Sequence, residues 1–292
     1  MSDGYEIESL PPAPGLTGSV VVRASADELV DAIAADFLVH AINCIRTFGD
    51  FHVALSGGST PIPFYQRLMY DPSYRAIPWQ RAHLWIVDER RVPFDDDRSN
   101  FRSISEIIVD HSGIPSEQVH PIFAQAPDAD TAYEALLRET LGWREPGHDR
   151  LDYVLLGMGS DGHTASLFPN SGALKEELRE MQLRNQQLSG ARVEGSAKKG
   201  DVPKDPGGRL VRINSGENVT PPDRVTMTLR LLNASRFIAV MVTGKSKREM
   251  LKKVVAAPKL VPPELIEEIP ILGIRPLAGE LRWYVDSEAC PE

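Results

Sequence analysis

The sequence predicts an α/β protein built on an open, mostly parallel, Rossmann-like sheet with helices on both faces. Three observations carry this prediction. Short apolar runs alternate with stretches of helical periodicity along most of the chain. The apolar runs are nearly continuous, as in strands covered on both sides, and do not alternate polar with apolar. The composition is that of an ordinary globular protein, with 42% hydrophobic and 25% charged residues over 292 positions. A chain of this length buries about three quarters of its unfolded surface and needs no disulfide to hold a core.

Taken in order, residues 1–18 carry Pro11, Pro12, Pro14 and scattered glycines without periodicity and read as a flexible leader. A short strand follows at 20–22. Ser25 with Glu28 forms a capping-box pattern, and Leu29, Ile33, Phe37 and Ala41 recur at helical spacing, so a helix over 25–47 should lie on the sheet. The alternation continues with a strand at 52–55, a helix after Pro61, a strand at 83–87, helices near 100–110 and at Ala129–Leu141, and a strand at 151–156. Leu174, Leu178, Met181 and Leu188 mark an amphipathic helix over 173–188. Residues 189–222 combine glycines, prolines and many charges with little apolar periodicity, which predicts a mobile insertion. A strand at Phe237–Val242 and a helix at 245–256 follow, so 19–292 reads as one α/β catalytic domain carrying that insertion.

The charge balance, 32 Lys plus Arg against 41 Asp plus Glu for a net −9, argues against broad nucleic-acid binding, which depends on cations displacing counterions from phosphates. Cations for an anionic ligand must be few and local. No apolar run approaches the roughly 18 residues of a membrane span, and the start of the chain lacks the basic and apolar segments of an export signal. Cys44 and Cys290 lie far apart with no metal-ligand spacing. A reduced, cytoplasmic setting without a metal fits these features.

Ligands of open α/β sheets bind beyond the carboxyl ends of strands, which directs attention to the loops after Leu55, Val87, Leu156 and Val242. The first, Ser56-Gly57-Gly58-Ser59-Thr60 before Pro61, has glycines for close backbone approach, hydroxyl donors and a following helix start with unpaired N–H groups. It fits a phosphate cradle or a plain Gly/Ser turn, and it is not a Walker loop because no Gly-Lys-Ser/Thr follows. The second, Asp88-Glu89-Arg90-Arg91, sets charges of both signs at a strand end and fits either polar ligand binding or a solvated ion-pair cluster. The third, from Gly157 to Pro169, satisfies G-x-G-x-x-G, yet Pro169 interrupts the long helix that a dinucleotide site needs. Within it His163 stands two residues after Asp161, at the start of a short segment that reads as helix. An imidazole with a reference pKa of about 6.5 can take a proton from water near neutrality. A structural histidine is the alternative. Arg224 and the Lys245/Lys247 pair are the remaining cations, and a lysine at a helix start is mildly disfavoured unless an anion lies nearby.

Together these loops resemble the glucosamine-6-phosphate isomerase/6-phosphogluconolactonase family, and the lactonases in particular. The resemblance rests on 55–61, on Asp88-Glu89-Arg90 with Val92-Pro93 and Ser99-Asn100, on 157–169, on 224–229 and on 242–247, in that order, and extends to Trp283-Tyr284-Val285-Asp286. It departs in the length of the segment between Pro169 and Arg224 and at Arg230, where a proline is common. The resemblance implies hydrolysis of 6-phosphogluconolactone to 6-phosphogluconate, a step of the oxidative pentose phosphate pathway, with no metal or organic cofactor. Gly57, Gly58, Ser59 and Thr60, with Ser56, Arg224 and Lys247, would hold the 6-phosphate, and His163 would activate water. By position, Asp161 would orient the imidazole, Arg90 would stabilise the carbonyl oxygen and Asp88 would contact the substrate. A glucosamine-6-phosphate deaminase and a non-catalytic sugar-phosphate sensor are the alternatives.

Overall fold

The computed structural model describes residues 10–142, 150–188 and 208–291. Ten strands alternate with helices: β1 (Ser19–Arg23), α1 (Ala26–Phe48), β2 (Phe51–Leu55), α2 (Ile62–Tyr70), β3 (Ala82–Ile86), β4 (Asp88–Arg90), then α3 (Asn100–Ile104), which runs through a π-helical turn at Ser105–Val109 into α4 (Asp110–Ser112). Next come β5 (Val119–His120), α5 (Ala129–Leu141), β6 (Tyr153–Gly157), α6 (Gly172–Leu188), β7 (Val211–Ser215), β8 (Asp223–Met227), α7 (Leu229–Ala234), β9 (Phe237–Val242), α8 (Arg248–Ala256), α9 (Pro263–Glu268) and β10 (Glu280–Asp286). Seven strands form one sheet in the order β1-β10-β9-β6-β2-β3-β5. All six of its neighbouring pairs are parallel.

Every residue of β2 and of β9 is buried, so both faces of the sheet are covered, as the continuous apolar runs predict. Helix α1 starts where the capping box places it: Ser25 Oγ accepts from the Glu28 N–H, and Glu28 Oε2 accepts from the Ala24 N–H. Its Leu29, Ile33, Phe37 and Ala41 are buried stripe residues. Phe37 meets Phe51, Phe64 and Tyr153 edge-on with ring centroids 5.1–5.7 Å apart. Burying each large side chain of this kind contributes about 1.5–3 kcal/mol.

A second, antiparallel sheet of three strands, β4-β8-β7, stands beside the first. It corrects the expectation of an unpacked insertion over 189–222. Residues 189–207 lie outside the described residues, but from residue 208 the chain is part of the fold. Val211 is fully buried, Arg212 pairs with Glu176 and Glu180 of α6, and Asn214 Nδ2 donates to the Ser166 carbonyl. The polar residues of β7 therefore point inward onto partners, which hides the strand's period from a hydrophobic pattern. The leader is corrected in the same way at its end. Thr17 O accepts from Trp283 Nε1 and Leu16 packs on the core, whereas residues 1–9 lie outside the described residues.

A row of imidazoles crosses the sheet near the amino ends of β2 and β3. His52 stacks on His83 at 4.3 Å, His83 on His120 at 5.3 Å, and His120 on Trp85 at 3.9 Å. Burial, followed by the charges of His83 and His52, pushes His120 down to about 3. Because its folded pKa lies below the unfolded value of about 6.5, its contribution to stability is complete above that pH and is lost as pH falls toward 3, at about 1.4 kcal/mol per unit. Denaturant unfolding should therefore show a loss of stability on acidification through this window, and His120→Gln should lose less over the same window. An equal loss in both proteins would place the acid sensitivity elsewhere.

Candidate active site

Four of the parallel strands end at one cavity of about 400 Å³. The loop after β2 contributes Ser56, Gly57, Gly58, Ser59 and Thr60; the segment after β3 contributes Asp88, Arg90 and Asn100; the loop after β6 contributes His163, Ser166 and Phe168; and the turn after β9 contributes Lys247. The small sheet adds Arg224 from β8 and the rim residues Val219 and Thr220. Every expected site residue lines this cavity except Asp161, which stands behind His163.

The loop after β2 is fastened before it reaches the cavity. Ser56 Oγ donates to the Leu155 carbonyl at 2.7 Å, and the Ser56 carbonyl accepts from Tyr65 Oη at 2.6 Å. The Ser56 hydroxyl proton is thus engaged by β6, and the group acts as an anchor of the loop. Gly57 has to be glycine because a Cβ there would collide with the Asn100 side chain. Ser59 and Thr60 follow at the start of α2.

In the loop after β6, His163 Nδ1 and Asp161 Oδ1 lie 2.6 Å apart. A carboxylate accepts, so this contact puts an imidazole proton on Nδ1, and in the neutral ring the lone pair then lies on Nε2. Burial alone would raise Asp161, but the hydrogen bond and charge of His163 outweigh it and hold the carboxyl below its ordinary range. Gly159 makes room for the pair: a Cβ there would collide with both His163 and Asp161. No helix follows His163, contrary to the sequence expectation. The chain instead folds into a tight turn closed by a bridge between Thr164 and Leu167, with Ala165 at φ 50°. Pro169 rules out helix continuation here, and the Thr164 side chain is spent on the Gly157 carbonyl at 2.9 Å.

The cations are local, as the acidic composition requires. Arg90 and Arg224 are direct cross-strand partners in the β4–β8 pair, a like-charge juxtaposition that is unfavourable on its own. Burial lowers the pKa of Arg224 despite the nearby Asp88, and burial likewise lowers Lys247 despite Asp161. Both cations would therefore gain from an anion in the cavity. Asp88 is buried and accepts from Ser166 Oγ at 2.6 Å. Ser166, Asn100 and Phe168 belong to the motifs that carry the resemblance, but the sequence reading gave them no role. Val219 and Thr220 had no signal, since they fall in the stretch read as an insertion.

Among the described residues, Asp50, His52 and His83 bring possible cation ligands within 4.8 Å of one another. Trp85 Nε1 donates to His52 Nδ1 at 3.0 Å, and an indole N–H can only donate, so the His52 proton sits on Nε2, which faces Asp50 Oδ2 at 3.3 Å. In this arrangement the group is a hydrogen-bonded part of the core. No described helix is long and apolar enough to cross a membrane.

Comparison with known proteins places this α/β fold in a family of sugar-phosphate enzymes. The profile described as Glucosamine-6-phosphate isomerases/6-phosphogluconolactonase matches residues 24–193 and 203–283, and the chain belongs to this family. It is 32% identical over 279 residues to the human GDH/6PGL endoplasmic bifunctional protein, covering 93% of this chain but 30% of that protein. The chain thus spans about a third of the bifunctional relatives it matches. It is 33% identical over 236 residues to 6-phosphogluconolactonase of Thermotoga maritima, covering 80% of this chain and 88% of that one. The crystal structure of a 6-phosphogluconolactonase from the same organism superposes with a TM-score of 0.67 at 26% identity, covering 92% and 99% of the two chains.

If Gly159 is what admits the Asp161–His163 pair, Gly159→Ala should displace the imidazole. In 15N-resolved spectra of the histidine ring at mildly alkaline pH, His163 should be protonated at Nδ1 in the wild type and lose that single-tautomer signature in the variant. An unchanged tautomer would show that the loop accommodates a Cβ.

Proposed function

We propose that this chain hydrolyses 6-phosphogluconolactone to 6-phosphogluconate, with His163 as the general base. The observation that carries the reading is His163, hydrogen-bonded through Nδ1 to Asp161, in the same cavity as Arg224 and Lys247. The names of the similar lactonases support the substrate, and the desolvated cations support an anionic one.

In this mechanism Gly57, Gly58, Ser59 and Thr60 hold the 6-phosphate with Arg224 and Lys247. The lactone carbonyl then lies toward His163, whose Nε2 removes a proton from a water molecule as the water oxygen attacks C1. Asp161 keeps the Nδ1 proton in place and stabilises the imidazolium. Arg90 donates to the carbonyl oxygen as negative charge develops there. The tetrahedral intermediate collapses by breaking the bond from C1 to the ring oxygen, and the imidazolium returns its proton to that oxygen. No serine nucleophile is needed, since no G-x-S-x-G elbow is present and a lactone reacts directly with activated water. Asp88, with one oxygen held by Ser166, accepts from a sugar hydroxyl. We place this activity in the cytoplasm, a reading supported by the two cysteines, Cys44 and Cys290, both buried thiols.

Two outcomes test the assignment. Removing a general base costs about 10²–10⁴-fold, so His163→Ala should lower kcat by that order after correction for spontaneous lactone opening, with inorganic phosphate binding retained. A corrected kcat within about threefold of wild type would make His163 structural. Lys247→Ala and Arg224→Ala should chiefly raise KM, and unphosphorylated gluconolactone should behave on the wild type as the phosphorylated substrate does on those variants. Equal turnover of the two lactones by wild type would remove the phosphate cradle, and ammonia release from glucosamine 6-phosphate would point to the deaminase branch of the family.

A further inference from the structure

Asn100 stands at the first position of α3, 3% exposed, and none of the roles above uses it. Its side chain makes two bonds of opposite sense at once. Oδ1 accepts from Arg90 Nη1 at 2.7 Å, and Nδ2 donates to the Asp88 carbonyl at 2.7 Å. Arg90 Nη1 also donates to the Arg98 carbonyl at 2.7 Å. With two acceptors fixed on a single nitrogen, the plane of the guanidinium is set, and Nε–H and Nη2–H₂ are the donors left to face a ligand.

Asn100 is itself rigidly held. Glu89, 1% exposed, accepts from the Asn100 and Phe101 N–H groups at 2.8 Å and from the Arg90 N–H at 2.7 Å. One buried carboxylate therefore ties the backbone of Arg90 to the start of α3. On its other side the Asn100 side chain occupies the space that a Cβ at Gly57 would need. The residue thus touches both the loop expected to hold phosphate and the cation expected to stabilise the carbonyl oxygen.

We propose that Asn100 is a positioning residue that aims the Arg90 guanidinium into the cavity, at a distance from the glycine loop set by contact with Gly57. The proposal rests on the reading of Arg90 given above. No other side chain of this volume does the same work. Aspartate would accept from Arg90 but set a carboxylate against the Asp88 carbonyl and neutralise the cation. Leucine would satisfy neither partner.

The test is a kinetic cycle on the phosphorylated lactone with wild type, Asn100→Ala, Arg90→Gln and the double variant. Misplacing a working group costs up to about 10²-fold, so Asn100→Ala should lower kcat by about ten- to a hundredfold with little change in KM. In the Arg90→Gln background the same substitution should cost less than about threefold, because a residue that acts through Arg90 has nothing left to position. Asn100→Asp keeps the volume and should also lose kcat, which covers the case in which the alanine variant does not fold. If the Asn100 factor is repeated in full in the Arg90→Gln background, or if both single variants of Asn100 stay within about threefold of wild type, Asn100 does not act through Arg90. An Arg90→Gln chain with wild-type kcat would overturn the role of Arg90 itself, and the proposal with it.

Discussion

Because β3, β2, β6 and β9 run side by side in one direction, their carboxyl ends finish along one edge, and each hands over to a segment that lines the cavity. Parallel pairing needs long crossovers, which here are the helices that bury both faces of the sheet. Residues more than a hundred positions apart in sequence, such as Thr60 and His163, therefore meet without any of them leaving its own strand end. The three-stranded sheet then brings Arg224 in from the side, through its ladder with β4.

Close approach of backbone and side chain is the second organising feature. Asn100 sits against Gly57, and the Asp161–His163 pair sits against Gly159. In both places the absence of a side chain on the glycine permits a polar group to be held rigidly at the cavity wall. Behind these groups the buried Glu89 carboxylate accepts from the Arg90 and Asn100 N–H groups, and the Ser56 hydroxyl donates to the Leu155 carbonyl.

The long elements were legible because their apolar periodicity is strong: α1, α5 and β9 stand where the pattern places them. The small sheet was not, and the reason is visible in its residues. β4 is Asp88-Glu89-Arg90, charged throughout, and its pairing with β8 depends on a partner more than a hundred residues away. β7 buries Arg212 and Asn214 on ion-pair and amide partners, so its inward face is polar. The cavity residues were legible as residues, since the strand-end rule directs attention to them. Their division of labour was less so: nothing in the sequence distinguishes the Ser56 hydroxyl, engaged with β6, from those of Ser59 and Thr60. The short helix expected after His163 failed because a turn closed between Thr164 and Leu167 competes with it next to a proline.

The cross-strand pairing of Arg90 with Arg224 also bears on what an anionic ligand would do to the small sheet. The charge of Arg90 disfavours that of Arg224, whereas Asp88, Glu89 and Asp223 act the other way, so the main-chain ladder holds two like charges side by side among carboxylates. In the mechanism proposed above each meets a separate anionic group of the ligand, the phosphate at Arg224 and the developing oxyanion at Arg90. Occupancy should thus stiffen the small sheet as well as fill the cavity, because the two arginines stand on its paired strands β4 and β8.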